Sequence, residues 1–272
     1  PYETLPEVNH PNMPLIPLEN NDIHIWTCRP DSLQDTLLLD HYRQLLTADE
    51  LARQQRYRFE HDRHSALVTR AFVRDLLSQY ADVAPANWRF IKGEKDKPEI
   101  DRPPLPLRFN LSHTRDLIVC AVTLQHDIGI DVEYVERNND ILAIADRYFS
   151  PAEVQELFSL PDAQQRSRFF DYWTLKESYI KACGLGLAIP LDHFSFTIGA
   201  ADAPFSNSNI DLGFAPERQD TPAHWQSWLF YPNARHRIAL SLRNPARPDC
   251  RLQWFASVPL ISHQPLSLPL DN

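Results

Sequence analysis

From Leu67 to Tyr80 the apolar positions Leu67, Ala71, Val73, Leu76, Leu77 and Tyr80 recur at roughly helical spacing, with polar residues between them. That period predicts a helix capped by Asp62 and running through Tyr80. Before it, Thr47 with Glu50 three residues on has the form of a capping box, opening a helix through Arg58. The period then changes. Short apolar runs at Trp88–Lys92, Leu107–Leu111, Leu117–Leu124 and Ile128–Val135, parted by Gly, Pro and Asp, predict strands. Helical grammar returns over Ile141–Phe149, and Ser150 with Glu153 makes a second capping box, with Pro151 at the first helical position. A longer helix follows from about Ala163 to Cys183, where Gly184 supplies the stop. Strand-like runs at Phe194–Ile198, Gln226–Tyr231, Arg237–Leu242 and Leu252–Ser257 close the pattern, with 201–224 as a polar loop. Helices followed by antiparallel-looking strands, twice over, predict an α+β fold of two α/β halves. The expected divisions are an extended lead-in over 1–22, halves over 23–127 and 128–260, and a tail over 261–272.

Composition bounds the class. With 43% hydrophobic and 23% charged residues, the 272-residue chain can bury one large core or two smaller ones. No stretch approaches the roughly 18 apolar residues of a spanning helix. The proline-rich, acidic start Pro1–Pro17 has no basic region ahead of an apolar run. A soluble cytoplasmic protein, with no membrane partner, is the expectation. Cys28, Cys120, Cys183 and Cys250 have no metal-ligand spacing and read as small core residues. A net charge of −9 argues against nucleic acid as a partner. The charge is uneven, however. Seven arginines (Arg43, Arg53, Arg56, Arg58, Arg63, Arg70 and Arg74) fall between His41 and Arg74, against Asp49, Glu50, Glu60 and Asp62. Such a patch on an acidic protein suits a polyanionic ligand or an acidic partner, and equally a solvated helix face.

The chemistry-bearing residues fall in two places. In the strand Asp127-Ile-Gly-Ile-Asp131-Val-Glu133, alternate side chains share a face, so Ile128, Ile130 and Val132 enter a core. Asp131 and Glu133 then point together the other way. Adjacent carboxylates repel unless a cation lies between them, and hard oxygen ligands favour Mg²⁺; an ordinary solvated strand face is the alternative. Gly129, on the same face, leaves room for a ligand to approach the backbone. In the long helix, Trp173, Glu177 and Lys181 share one stripe. Glu177 supplies a third carboxylate, and Lys181 a cation for a phosphoryl group in transfer. The alternative there is an exposed Glu–Lys pair one turn apart.

These two segments carry a resemblance. Gly129-Ile-Asp131-Val-Glu133, followed about forty residues later by Trp173-x-x-Lys176-Glu177-Ser178-x-x-Lys181, resembles the paired signature of 4′-phosphopantetheinyl transferases, in the larger surfactin-synthetase-activating form. Further matches between about Thr47 and Phe196 are Lys97-Pro98, Phe109-Asn110-Leu111-Ser112-His113, Arg147-Tyr-Phe-Ser150-x-x-Glu153, Gly184-x-Gly186 and Pro190-Leu-Asp-x-Phe194-Ser-Phe. The resemblance implies two similar halves in a pseudo-dimeric arrangement within a monomer, each a small, mostly antiparallel sheet packed against a long helix. It implies transfer of the phosphopantetheine arm of coenzyme A to a serine of an apo acyl or peptidyl carrier protein. Adenosine 3′,5′-bisphosphate would leave, and Mg²⁺ would be required. Carriers of fatty-acid, polyketide and nonribosomal peptide synthesis all fall within that partner class.

Residue by residue, the resemblance implies that Asp131, Glu133 and Glu177 hold the metal with the pyrophosphate. Lys181 sits against the phosphates, Glu177 helps deprotonate the carrier serine, and Glu153 orients a water or the metal shell. Lys97, Pro98, Ser112, His113, Asp131, Lys176 and Lys181 would contact coenzyme A, with Arg53 or Arg56 serving its anionic end. Two departures stand out: Asp96 where the family usually has glycine, and Ser65 where an arginine is common, with Arg63 as the substitute cation.

Other classes fit less well. Nucleases that cluster Asp, Glu and Lys usually place Glu-x-Lys on a strand, and overall acidity is wrong for DNA. Ser112 and His113 are strand neighbours facing opposite ways, and no Gly-x-Ser-x-Gly elbow exists for a hydrolase. A carrier-binding protein without catalysis conflicts with the intact acidic set, though Asp96 speaks for it. Apolar residues after Ser150, Leu157 and Phe158 among them, are expected to form a ledge for the carrier.

Overall fold

Every residue of the run Leu117–Leu124 is buried, which requires cover on both faces of the strand it forms. The computed structural model describes residues 14–93 and 96–272, so residues 1–13 of the expected lead-in lie outside it. In chain order come β1 (Asp22–Cys28), α1 (Thr36–Leu45), α2 (Ala48–Gln55), α3 (Glu60–Leu77), β2 (Phe90–Lys92), β3 (Pro98–Ile100), β4 (Leu107–Thr114), β5 (Leu117–Leu124) and β6 (Asp127–Tyr134). Then follow α4 (Ile141–Tyr148), α5 (Pro151–Ser159), α6 (Asp162–Cys183), β7 (Phe194–Ile198), β8 (Ser206–Asn207), β9 (Ile210–Phe214), β10 (Trp225–Phe230), β11 (His236–Arg243), β12 (Arg251–Val258) and β13 (Ser262–Leu266). One sheet has the order β13-β12-β1-β5-β4 and a second β6-β11-β10-β8, while β2–β3 and β7–β9 form separate two-stranded sheets.

The mixed α/β arrangement is layered. On β1 and β5, Trp26, Cys120 and Val122 face α3, packing with Phe72 and Leu76. The alternate residues Ile23, Ile25, Val119 and Ala121 face the second sheet, where Ile130, Val132, Ile238 and Leu240 meet them. The far side of that sheet is covered by α6 through Phe169, Leu175 and Tyr179, against Leu229 and Ala239. Period-two alternation thus places each strand between two apolar layers, and Ile128, Ile130 and Val132 enter a core as their spacing predicts.

Local signals held where they were strongest. Both capping boxes form, at Thr47–Glu50 and Ser150–Glu153, and Gly184 closes α6 at φ 69°. Asp62 is not a cap. The residue before α3 is Phe59, which makes no capping bond, and the corner is held instead by Arg63, which donates to Tyr57 O and Arg58 O at 2.8 and 2.9 Å. That corner also ends α2 at Gln55 rather than Arg58. Trp88 is core, not strand; its Nε1 donates to Ser78 Oγ at 2.8 Å.

The stretch 201–224, expected as loop, contains β8 and β9. The strand β12, expected with the second half, pairs in parallel with β1 and so joins the first sheet. The expected tail is not loose: β13 pairs with β12, and Leu270 N donates to Pro232 O at 2.7 Å. The strand β1 and helix α1, capped by Asp35 on Leu38 N, were not anticipated. The first shows no alternation because both its faces are covered.

Candidate active site

The edge strands β4 and β6 meet without a backbone ladder. Side chains of β4 take its place. Asn110 Oδ1 accepts from Ile130 N at 2.9 Å, and Ser112 Oγ accepts from Val132 N at 3.1 Å while donating to Asp131 Oδ1 at 3.3 Å. Two lysines tie the same seam: Lys181 donates to Leu111 O, and Lys97 to Ile128 O and Ala182 O at 3.2 and 3.3 Å. Backbone groups that an unpaired edge would leave bare are therefore satisfied from the opposite sheet. Gly129 has a different task from the one expected. A Cβ there would collide with Ser178 O and Ala182 N of α6, so the glycine admits the helix backbone rather than a ligand.

That close approach sets α6 beside the acidic strand. Asp131 is 6% exposed, and its Oδ2 has no hydrogen-bond partner among the described residues. Burial, and then the charges of Glu133 and Glu177, push its pKa well above the usual carboxylate value, with Lys181 acting the other way. Burial and Glu133 likewise raise Glu177. Lys181 is pushed down by burial, against the pull of Asp131, Glu177 and Glu133. Glu133 is held: its Oε1 accepts from Trp173 Nε1 at 2.9 Å, and its Oε2 pairs with Arg137 at 3.1 Å. Asp131, Glu133, Glu177 and Lys181, drawn from two distant segments, thus act on one another's charge. Among the described residues no three carboxylate, imidazole or thiol side chains already form a metal cage, as fits a Glu133 turned toward Trp173 and Arg137.

Beside this cluster opens a cavity of about 1670 Å³ whose walls come from α2, α3, β2, β3, β4 and α6. Of the residues expected against coenzyme A, Arg53, Lys97, Pro98, His113 and Lys181 line it. Ser112 lies buried behind them against Asp131. Burial, then the charges of Lys181 and Arg70, hold the His113 pKa below its ordinary value. Arg56 and Arg63 do not line the cavity: Arg56 is the exposed end of α2, and Arg63 serves the backbone corner. Asp96 has φ 66°, the left-handed region where glycine is the default and aspartate is tolerated. It lines the cavity with Lys92, its exposed carboxylate 3.6 Å from the Lys92 ammonium.

Glu153 and Lys176 are not brought to the cluster. They pair with each other at 2.7 Å, both 0% exposed. Glu153 also accepts from Ser150 N and Phe196 N at 3.1 and 2.9 Å, and Lys176 donates to Phe194 O. These bonds fasten α5 and β7 to the side of α6 away from Glu177. Leu157 is core at 0% exposure, which leaves Phe158, at 42%, as the exposed member of the expected ledge. Asn110 acts across the chain on Ile130 N, Arg137 pairs with Glu133 one helical turn's spacing away in sequence, and the clustering of arginines is the sequence signal for Arg70, which lines the cavity.

Residues 127–241 match the 4′-phosphopantetheinyl transferase superfamily, and residues 34–125 match the family described as 4′-phosphopantetheinyl transferase, N-terminal. A 4′-phosphopantetheinyl transferase, HetI, of Nostoc sp. is 38% identical over 180 residues, which cover 65% of this chain and 75% of the relative. The 4′-phosphopantetheinyl transferase Sfp of Bacillus subtilis is 33% identical over 172 residues, covering 63% and 73%. Similarity to the crystal structure of a Thermotoga maritima holo-[acyl-carrier-protein] synthase is low, with TM-score 0.34 and 19% identity over 48% of this chain and 68% of that one. With both matched segments falling on the strands and helices that build the acidic cluster and its cavity, this chain belongs to the 4′-phosphopantetheinyl transferases, a transferase family.

Proposed function

We propose that this chain transfers the 4′-phosphopantetheine arm of coenzyme A to a serine of an apo acyl or peptidyl carrier protein, releasing adenosine 3′,5′-bisphosphate. The observation that carries this is the position of Lys181, which lines the cavity and at the same time faces Asp131, Glu177 and Glu133. A polyanion in the cavity would bring its phosphates to that lysine, beside the acids.

The donor set fits a divalent cation. Asp131 has a buried oxygen without a partner among the described residues, and Glu133 raises the pKa of both Asp131 and Glu177, a repulsion that a hard cation such as Mg²⁺ relieves. Asp131 and Glu177 would hold it, with Glu133 joining on release from Arg137. When bound there, the ion supplies charge neutralisation for the pyrophosphate. The chain's own residues do the rest. Glu177 takes the proton of the carrier serine. The serine Oγ–phosphorus bond forms as the bond from that β-phosphorus to the bisphosphate breaks. Lys181 offsets the charge that gathers on the departing phosphate, and Trp173 holds Glu133 in line.

Sheet and helix on each side of the seam support a pseudo-dimeric pair of halves divided near 127, with β12 and β13 crossing back. One chain supplies both walls of the cavity, which supports a monomer. Four free cysteines support a reducing cytoplasmic setting, and among the described residues no helix is long and apolar enough to cross a membrane. The deciding experiment incubates the purified chain with several apo carriers, coenzyme A and Mg²⁺, and reads carrier mass. Addition of the arm by the unaltered chain and its loss in Asp131→Ala and Glu177→Ala is expected. No addition to any carrier, or near-normal turnover by either variant, rejects the reading.

A further inference from the structure

Both oxygens of Glu133 are engaged within the chain. Trp173 Nε1 donates to Oε1 at 2.9 Å, and Arg137 Nη1 pairs with Oε2 at 3.1 Å. Of the three acids only Glu133 is ion-paired among the described residues. Arg137 is no loosely placed surface cation. It follows β6 in the connection to α4, and Arg166 of α6 fastens that connection, its Nε donating to Val135 O at 2.8 Å and its Nη2 to Arg137 O. The guanidinium lies over the rings of Phe170 and Trp173, 5.5 and 5.9 Å from their centroids. Its Nε is buried and has no acceptor among the described residues.

That position puts a fixed positive charge against the acids from the side opposite to nothing but α6 rings, and the charge also acts on Glu177. A hard divalent ion draws carboxylate oxygens to itself. Two cations a few ångströms apart in partly buried surroundings repel, so Glu133 cannot serve both at no cost. Release of Arg137 strands no charge, however. Its side chain is 33% exposed, and the faces of Phe170 and Trp173 continue to attract a guanidinium after it leaves the carboxylate.

We propose that Arg137 is a positioning residue that competes with the divalent ion for Glu133, neutralising the acids of the metal-free protein and weakening metal binding in the absence of coenzyme A. This rests on the metal reading of the acidic cluster given above.

Titration with Mn²⁺, a paramagnetic hard cation in place of Mg²⁺, read by electron paramagnetic resonance without coenzyme A, tests this on the unaltered chain, Arg137→Gln and Arg137→Lys. Arg137→Gln should bind Mn²⁺ about threefold to tenfold more tightly than the unaltered chain, and Arg137→Lys, which keeps the charge, within about twofold of it. Thermal midpoints give a second reading. Without metal Arg137→Gln should unfold at a lower temperature, and saturating Mg²⁺ should raise its midpoint by more than it raises that of the unaltered chain. Weaker Mn²⁺ binding by Arg137→Gln overturns the proposal, as does an equal fall in midpoint with and without Mg²⁺, which marks a purely structural side chain. Folding of Arg137→Gln only when Mg²⁺ is present supports the proposal; failure to fold in either condition overturns it. Absence of Mn²⁺ binding in the unaltered chain and both variants removes the metal reading as well, whereas equal binding by all three removes this inference alone.

Discussion

Asn110 Oδ1 accepts a hydrogen bond from Ile130 N at 2.9 Å, so that one side chain replaces a strand where two sheets meet. Because Ile130 N is buried there, Asn110→Leu strands a donor, at about 1–3 kcal/mol. Ser112→Ala should cost a similar amount, since it abandons Val132 N and takes a donor from Asp131. Urea midpoints check both. A loss under about 0.5 kcal/mol would mean the seam does not depend on these side chains.

Gly129→Ala is expected to destabilise by about 3 kcal/mol or more, or to prevent folding. The added methyl meets backbone atoms of Ser178 and Ala182, not a flexible side-chain end, so α6 itself would have to move. A soluble Gly129→Ala variant with an unshifted thermal midpoint would show that the helix stands further off than described.

For the buried pair, Lys176→Met leaves the Glu153 carboxylate without its cation and should cost about 3–5 kcal/mol. The double change Glu153→Gln with Lys176→Met removes both charges while leaving an acceptor for the backbone donors that Glu153 holds, and should recover part of that loss and keep turnover per folded molecule. If the double variant folds but cannot transfer the arm, Glu153 or Lys176 belongs to the chemistry after all.

Replacing Asp131 by Asn removes one charge from a set of mutually repelling acids. The metal-free protein should gain about 1 kcal/mol in stability, while transfer is abolished and added Mg²⁺ no longer raises the thermal midpoint. Thermal unfolding with and without Mg²⁺ reads this out. An Asp131→Asn variant that is less stable than the unaltered chain, or that Mg²⁺ still stabilises, contradicts the assignment.

Acid sensitivity should arise far from the site, at His24. Its ring is 2% exposed, its Nδ1 lies 2.7 Å from Tyr80 Oη, and burial lowers its pKa from 6.5 to about 4. Between those values the unfolded chain binds a proton that the folded chain does not. The contribution is therefore full above pH 6.5, falls as pH drops from there to about 4, and levels off below, for a total of up to about 3 kcal/mol. His24→Asn keeps a hydrogen-bonding group toward Tyr80 and should flatten that slope. Urea midpoints at several pH values across the window measure it.

The helix boundaries at Thr47, Ser150 and Gly184 were legible because capping is an interaction among residues three or four apart. The alternation Ile128, Ile130, Val132 was legible because strand period is equally local. Spacing puts Asp131 with Glu133 on one strand face and Glu177 with Lys181 on one helix stripe, but the expectation that the two sets meet came from the family resemblance, because face-sharing within an element does not say which faces come together. Strand β1 escaped notice because cover on both faces erases alternation.

Residue type and short-range spacing alone therefore told which segments bend into helices or strands and which acids face the same way. They could not tell that Gly129 makes way for Ser178, that Glu153 belongs to Lys176, or that Arg70 rather than Arg63 reaches the cavity. Those outcomes depend on contacts between residues far apart in the chain, where packing decides which polar groups find partners and which stay free to meet a ligand.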